Sequence, residues 1–187
     1  MKRKSRMGVK QTWILLLLSC AVLQPCIHAA SCEKAVLPEE ANAVLRAKFP
    51  KLQIVTIAAL DQDERQAWSD AHPGICPGIA QGNFGPGHKN AYAVSLFRPL
   101  GNYRYSEALV LLMQEAGKYS VRVLSPESEV TAHIYVVWQQ PPGAYKDAQT
   151  GRKIRAVWPI ITYEAIEAGA TAYYWKGTEF RSFVLSQ

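Results

Sequence analysis

Asp61, Asp63 and Glu64 are the densest group of acids in the chain, and His72, Cys76 and His88 are the imidazole and thiol groups that one folded segment could bring together. Two carboxylates at a suitable separation can serve as acid and base in glycosidic cleavage. That chemistry makes a hydrolase using the clustered acids and His72 the catalytic alternative. The acids crowd the expected start of a helix, however, where negative side chains cap free N–H groups and meet the positive end of the dipole. The soft groups offer three zinc ligands at best, with no CxxC, CxxCH or paired zinc spacing among them, so neither a metal site nor a cofactor is expected. There is no GxSxG, HExxH, P-loop or GxGxxG. His133, between Ala132 and Ile134, reads as a histidine satisfied within a strand, and Glu164 and Glu167 read as solvated groups near a strand end.

Whatever these residues do, the N-terminus suggests where they do it. Residues 1–10 are cationic, residues 13–23 are apolar, and Ile27-His28-Ala29-Ala30 ends the stretch in small residues, the order of a secretory signal. The apolar run is far short of the roughly 20 residues that span a bilayer, and Gln24-Pro25 interrupts it. Cleavage after Ala29 gives a signal peptide over 1–29 and one domain over 30–187, periplasmic or secreted. A lipid anchor at Cys20, in the lipobox-like Leu17-Leu18-Ser19-Cys20, is the competing reading. Cysteine parity favours the soluble form, because cleavage after Ala29 leaves only Cys32 and Cys76, an even pair for an oxidising compartment. Their disulfide would close a loop of about 44 residues and stabilise the domain by about 2–4 kcal/mol.

Charge excludes one class of partner. The chain holds 21 Lys+Arg and 15 Asp+Glu, a net +6, but Lys2, Arg3, Lys4, Arg6 and Lys10 all precede the apolar run. Without them the balance is 16 against 15, so the basic character belongs to the targeting segment and no nucleic-acid partner is expected. With 49% hydrophobic and 19% charged residues, the rest of the chain is that of a folded domain.

The elements follow from pattern. Leu37-Pro38-Glu39-Glu40 opens a helix with Leu37, Ala41, Val44 and Leu45 on one face, ending at Phe49-Pro50. Residues 53–60 read as a strand and 61–70 as a short helix. Segments 79–84 and 91–97 form a hairpin candidate around a glycine-rich turn, and 107–114 is almost uniformly apolar, as in a strand covered on both faces. Alternation marks 119–124; 125–129 reads as a loop; and 131–138 reads as a strand from its β-branched and aromatic content. Residues 139–151 read as an exposed loop, followed by a strand-rich stretch from 153 to 185. Short connections and the lack of βαβ spacing predict an α+β fold, a mainly antiparallel sheet of about eight strands with one N-terminal helix packed on it.

Two segments carry a resemblance. In the stretch from Cys76 to Val94, Gly82, Phe84 and Tyr92-Ala93-Val94 match the outline of the calcium-loop segment of FG-GAP-type repeats. The loop contains Asn83 and Asn90 but no acid, so it lacks the carboxylates that calcium requires. Tyr173-Tyr174-Trp175-Lys176-Gly177-Thr178-Glu179-Phe180 resembles the terminal hairpin of small exported bacterial proteins of uncharacterised function. The resemblance implies a fold and an address. With no catalytic signature, the expectation is a non-catalytic envelope binding domain with a protein partner, of the inhibitor or immunity type. Candidate contacts are Tyr103, Arg104 and Tyr105 in a loop over 101–105, and Tyr145 and Arg152 in the loop over 141–152, residue types enriched at interface hot spots.

Overall fold

The computed structural model describes residues 37–186. The expected signal segment, Cys20 and Cys32 lie outside the described residues. Cys76 is disulfide-bonded.

Eleven strands and two α-helices make up the described chain, and every strand pairing is antiparallel. Helix α1 (Glu39–Lys48) begins after Pro38, with Glu39 and Glu40 in its first turn and Arg46 and Lys48 in its last, both favourable to the dipole. The first sheet runs β1 (Gln53–Ile54), β3 (Ala91–Gly101), β4 (Arg104–Glu115) and β5 (Lys118–Thr131). Strand β2 (Ile79–Gly82) pairs with β3 ahead of β1, so two short strands share one edge of one long strand. The second sheet has the order β11 (Glu179–Ser186), β10 (Gly169–Lys176), β9 (Ile160–Ala165) and β6 (Tyr135–Gln140). Strands β7 (Gly143–Lys146) and β8 (Lys153–Ala156) form a separate two-stranded sheet.

Alternation along the strands decides what each face covers. Val94, Leu96, Ala108, Val110 and Leu112 pack under Ala41 and Leu45 of α1 and under Leu37 just ahead of it. The opposite positions, Ala91, Ala93, Leu109, Leu111 and Met113, meet Val137, Ile161 and Tyr163 of the second sheet. That double burial explains the unbroken apolar run of β4. Ile154 and Ala156 of β8 cover the other face of the second sheet at Ala172, Tyr174 and Phe183. Helix α2 (Gln62–Ala71) seats Trp68 against Val55, Leu60, Ile134, Val136 and Ile166.

Several local expectations need correction. The strand expected over 53–60 is only Gln53–Ile54, because Ile57–Ala59 forms a 3-10 turn that leads into α2. Residues 125–129 are not a loop but belong to β5, which is irregular there where its register with β4 shifts. The strand expected over 131–138 is broken: Ala132 takes a left-handed φ of 76°, and β6 begins at Tyr135. The loop expected over 139–151 contains β7. The loop over 101–105 is a tight hairpin joining β3 to β4.

The two sheets join where β6 would otherwise leave its outer edge bare. The Ser95 N–H donates to the Gly78 carbonyl at 3.0 Å, the Val55 N–H donates to the Ser95 carbonyl at 3.1 Å, and the Val137 N–H donates to the Pro77 carbonyl at 2.7 Å. So tight a crossing leaves no room at Gly78, where an added Cβ would stand 2.0 Å from the Val55 carbonyl oxygen. Gly78→Ala is expected to cost at least about 3 kcal/mol, from overpacking that a backbone neighbour cannot relieve. Chemical denaturation with an unchanged midpoint would show that this crossing is not rigid.

Candidate functional site

One end of the molecule gathers several of the residues singled out in the sequence. The β3–β4 turn is Asn102-Tyr103, both in the left-handed region at φ 53° and 54°, which gives the twist of a two-residue hairpin. Tyr103 is 78% exposed. Its carbonyl accepts from the N–H of Ala132, itself left-handed, at 2.8 Å, so two strained positions fasten each other. Arg104 opens β4 and pairs through Nε with Glu129 of β5 at 2.8 Å, while Tyr105, half-buried, lies in the field of Glu64, Asp61 and Glu107. Burial first, then those carboxylates, raise the Tyr105 hydroxyl above its ordinary pKa.

The clustered acids do structural work at this same end. Asp61 accepts from the Glu64 N–H at 2.8 Å and the Glu64 carboxylate accepts from the Asp61 N–H at 3.3 Å, a reciprocal cap for α2. The other Glu64 oxygen lies 3.1 Å from His133 Nδ1. His133 is therefore not a satisfied strand residue. The reversal at Ala132 takes it out of the ladder and onto the helix cap. Asp63 is exposed.

Beneath this end lies the group that sequence reasoning missed. Glu107 is 2% exposed between the sheets, on the same face of β4 as Leu109 and Leu111. Its oxygens accept from the Tyr135 N–H at 3.2 and 3.3 Å and from the Tyr163 hydroxyl at 3.3 Å. The Tyr135 carbonyl accepts from the Ser95 hydroxyl at 2.6 Å. Burial raises the Glu107 carboxyl to about 7, against the opposing pull of its two donors. The signal in the sequence was an acid in register with an interior face.

The remaining candidates stand elsewhere. Tyr145 bonds through its hydroxyl to the Pro141 carbonyl and packs on Phe183, and Arg152 precedes β8, so both belong to the two-stranded sheet on the far face of the second sheet. His72 lies between Trp68 and Trp138, ring centroids 4.2 and 4.6 Å away, whereas His88 is held by Trp175 and Phe180 at 4.8 and 5.9 Å. The zinc arrangement weighed for His72, Cys76 and His88 does not form: no group of three His, Cys, Asp or Glu that could hold a metal occurs among the described residues. Burial lowers the pKa of both histidines; Arg122 lowers His88 further, and Glu164 opposes the effect at His72. The His88 contacts also bring the glycine-rich loop over 82–90 and the terminal hairpin together. Gly85 is the residue that permits it, since a Cβ there would lie 2.8 Å from His88 Nδ1 and 3.0 Å from Trp175.

No family model, curated protein or solved structure matches this chain. No helix among the described residues is long and apolar enough to cross a membrane.

Glu107 makes stability depend on pH with a definite sign. An unfolded carboxyl ionises near its ordinary 4.5, while the folded one holds its proton to about 7. The stabilisation is therefore complete below 4.5 and lost as pH rises through 7, by about 3 kcal/mol in all. Glu107→Gln, which keeps an acceptor for Tyr135 and Tyr163, is expected to flatten this part of the profile. Denaturant midpoints between about pH 4 and about pH 8, the window that linkage defines, check it. A variant with an unchanged slope would assign the pH dependence to other groups.

Proposed function

We propose that this chain is an exported, non-catalytic binding domain of the bacterial envelope, of the inhibitor or immunity type, which occludes a protein partner with the end carrying Tyr103 and Arg104. The observation that carries the reading is the conformation of Tyr103. A hairpin of this kind is best served by glycine at that position, and a bulky side chain in left-handed backbone costs about 1–2 kcal/mol. Here that position holds a tyrosine, 78% exposed and aimed at no partner within the described chain. Local strain retained around an exposed aromatic is characteristic of binding positions.

The surroundings agree with a docking end. Arg104 is held by Glu129 with both side chains about half exposed, so a partner meets a charge pair already set in direction. Export is supported by the signal-like N-terminus and by the disulfide at Cys76, for which Cys32 is the proposed mate. The likeness to small exported bacterial proteins rests on two segments that pack against each other through His88, Trp175 and Phe180. The hydrolase alternative has less behind it, because Asp61 and Glu64 cap α2 and the His72 ring is enclosed by two tryptophans.

A photo-crosslinking amino acid at position 103, in the full chain expressed in its native envelope, is expected to trap one stoichiometric protein; the same group at Lys51 should not. Tyr103→Gly separates binding from folding. It should raise stability by roughly 1 kcal/mol through relief of backbone strain, yet weaken capture of that protein by at least about tenfold. Capture that survives the substitution would overturn this placement of the interface.

A further inference from the structure

On the face of the second sheet away from this end, the β7–β8 hairpin gathers positive charge that makes no ion pair among the described residues. Arg152, Lys153, Arg155 and Lys176 line one cleft of about 140 Å³ with Ile154 and Tyr174. All four cations are exposed, and none makes an ion pair or a side-chain hydrogen bond among the described residues. Lys146 adds a fifth, directly opposite Lys153 across the hairpin. Like charges placed opposite each other destabilise a strand pair. Asp147, between β7 and β8, is 6% exposed and spends its carboxylate on its own turn, accepting from the Thr150 hydroxyl at 2.6 Å and the Gln149 N–H at 3.1 Å, and Glu179, opposite Lys176 across the β10–β11 hairpin, pairs with Arg181 instead.

Tyr174 supplies the second, independent observation. Its ring is buried against Phe183, leaving the residue 5% exposed, and it lines the cleft. Its hydroxyl makes no hydrogen bond among the described residues and is reached by solvent at the cleft. A phenol hydroxyl open at the cleft, beside two guanidinium forks and two ammonium groups, offers many hydrogen-bond donors, and no carboxylate lines the cleft. Guanidinium groups match tetrahedral oxyanions two bonds at a time, and lysines add charge without a directional demand. The volume suits a small oxyanion with a few waters, at about 30 Å³ each.

We propose that the cleft between the β7–β8 hairpin and the end of β10 is a binding site for a phosphate group. The phosphate is the end of a larger molecule: a second cleft of about 640 Å³, lined by Pro142, Ala144, Ala156 and the 72% exposed Val157, shares Lys153, Ile154 and Arg155 with the first. An ester with an apolar body would fill both. This site is independent of the interface at Tyr103, and either can fail without the other.

Calorimetric titration of the full chain with inorganic phosphate, and co-sedimentation with phosphatidylcholine vesicles with and without phosphatidic acid, test it. Phosphate should bind, and the double variant Lys153→Gln/Arg155→Gln should weaken it by at least about tenfold. The same variant should melt no lower than the parent, since it removes the repulsion between Lys146 and Lys153; Lys51→Gln should bind as the parent does. Phosphatidic-acid binding that is lost in the double variant identifies a lipid headgroup as the source, and phosphate binding without vesicle binding identifies a soluble phosphate ester. Absence of phosphate binding, or binding that is equal in the double variant, would overturn the proposal.

Discussion

The outer edge of β6 is held by groups that are not a strand. Tyr135 gives its N–H to the Glu107 carboxyl and its carbonyl to the Ser95 hydroxyl, and Val137 gives its N–H to Pro77. A bare strand edge presents unpaired backbone groups, and burying them unsatisfied would be costly. Two side chains of the first sheet and the Pro77 carbonyl just ahead of β2 meet that need, and they do so where β1, β2 and β3 come together. The sandwich exists because this seam closes. The disulfide at Cys76 sits one residue before it, and the candidate binding end lies just beyond Glu107.

The seam explains why an acid is kept between two apolar sheets. An alkyl side chain at position 107 would pack as well as its neighbours Leu109 and Leu111, yet it would leave the Tyr135 N–H without a partner. A carboxyl supplies acceptors to two donors at once, and its own ionisation is what burial opposes. Fastening and pH sensitivity are thus two aspects of one residue.

Much of this was legible in the sequence, for reasons specific to each element. Alternation and β-branched content located most of the strands, and the apolar run of β4 announced a strand covered on both sides. The Asp61 to Glu64 spacing pointed to a cap, which the structure contains. What stayed hidden depended on backbone reversals in residues that give no warning. Nothing about Ala132 announces a left-handed turn, so the chain around it read as one strand and His133 as one of its members. Residues 53–60 carried strand-like side chains but follow the needs of Val55 and Leu60, which both enter the core beside Trp68. For the site, residue type and loop composition marked Tyr103, Arg104 and Tyr105. Glu107 was passed over because an acid at the head of an apolar run takes its meaning from which way β4 faces, a fact only the opposing sheet supplies.

Strand β5 has a further consequence. It is the terminal strand of its sheet and 14 residues long, a length at which a flat, exposed edge would invite another chain to pair with it. Pro126, with no N–H to offer, falls where the register against β4 shifts between Ser125 and Ser128, and Arg122, Glu127 and Glu129 place charge along the same strand. The irregularity near the middle of β5 is therefore a guard against edge-to-edge aggregation. It lets the protein be crowded among copies of itself without its longest edge becoming a template, and it directs association toward side-chain surfaces at the two ends of the fold.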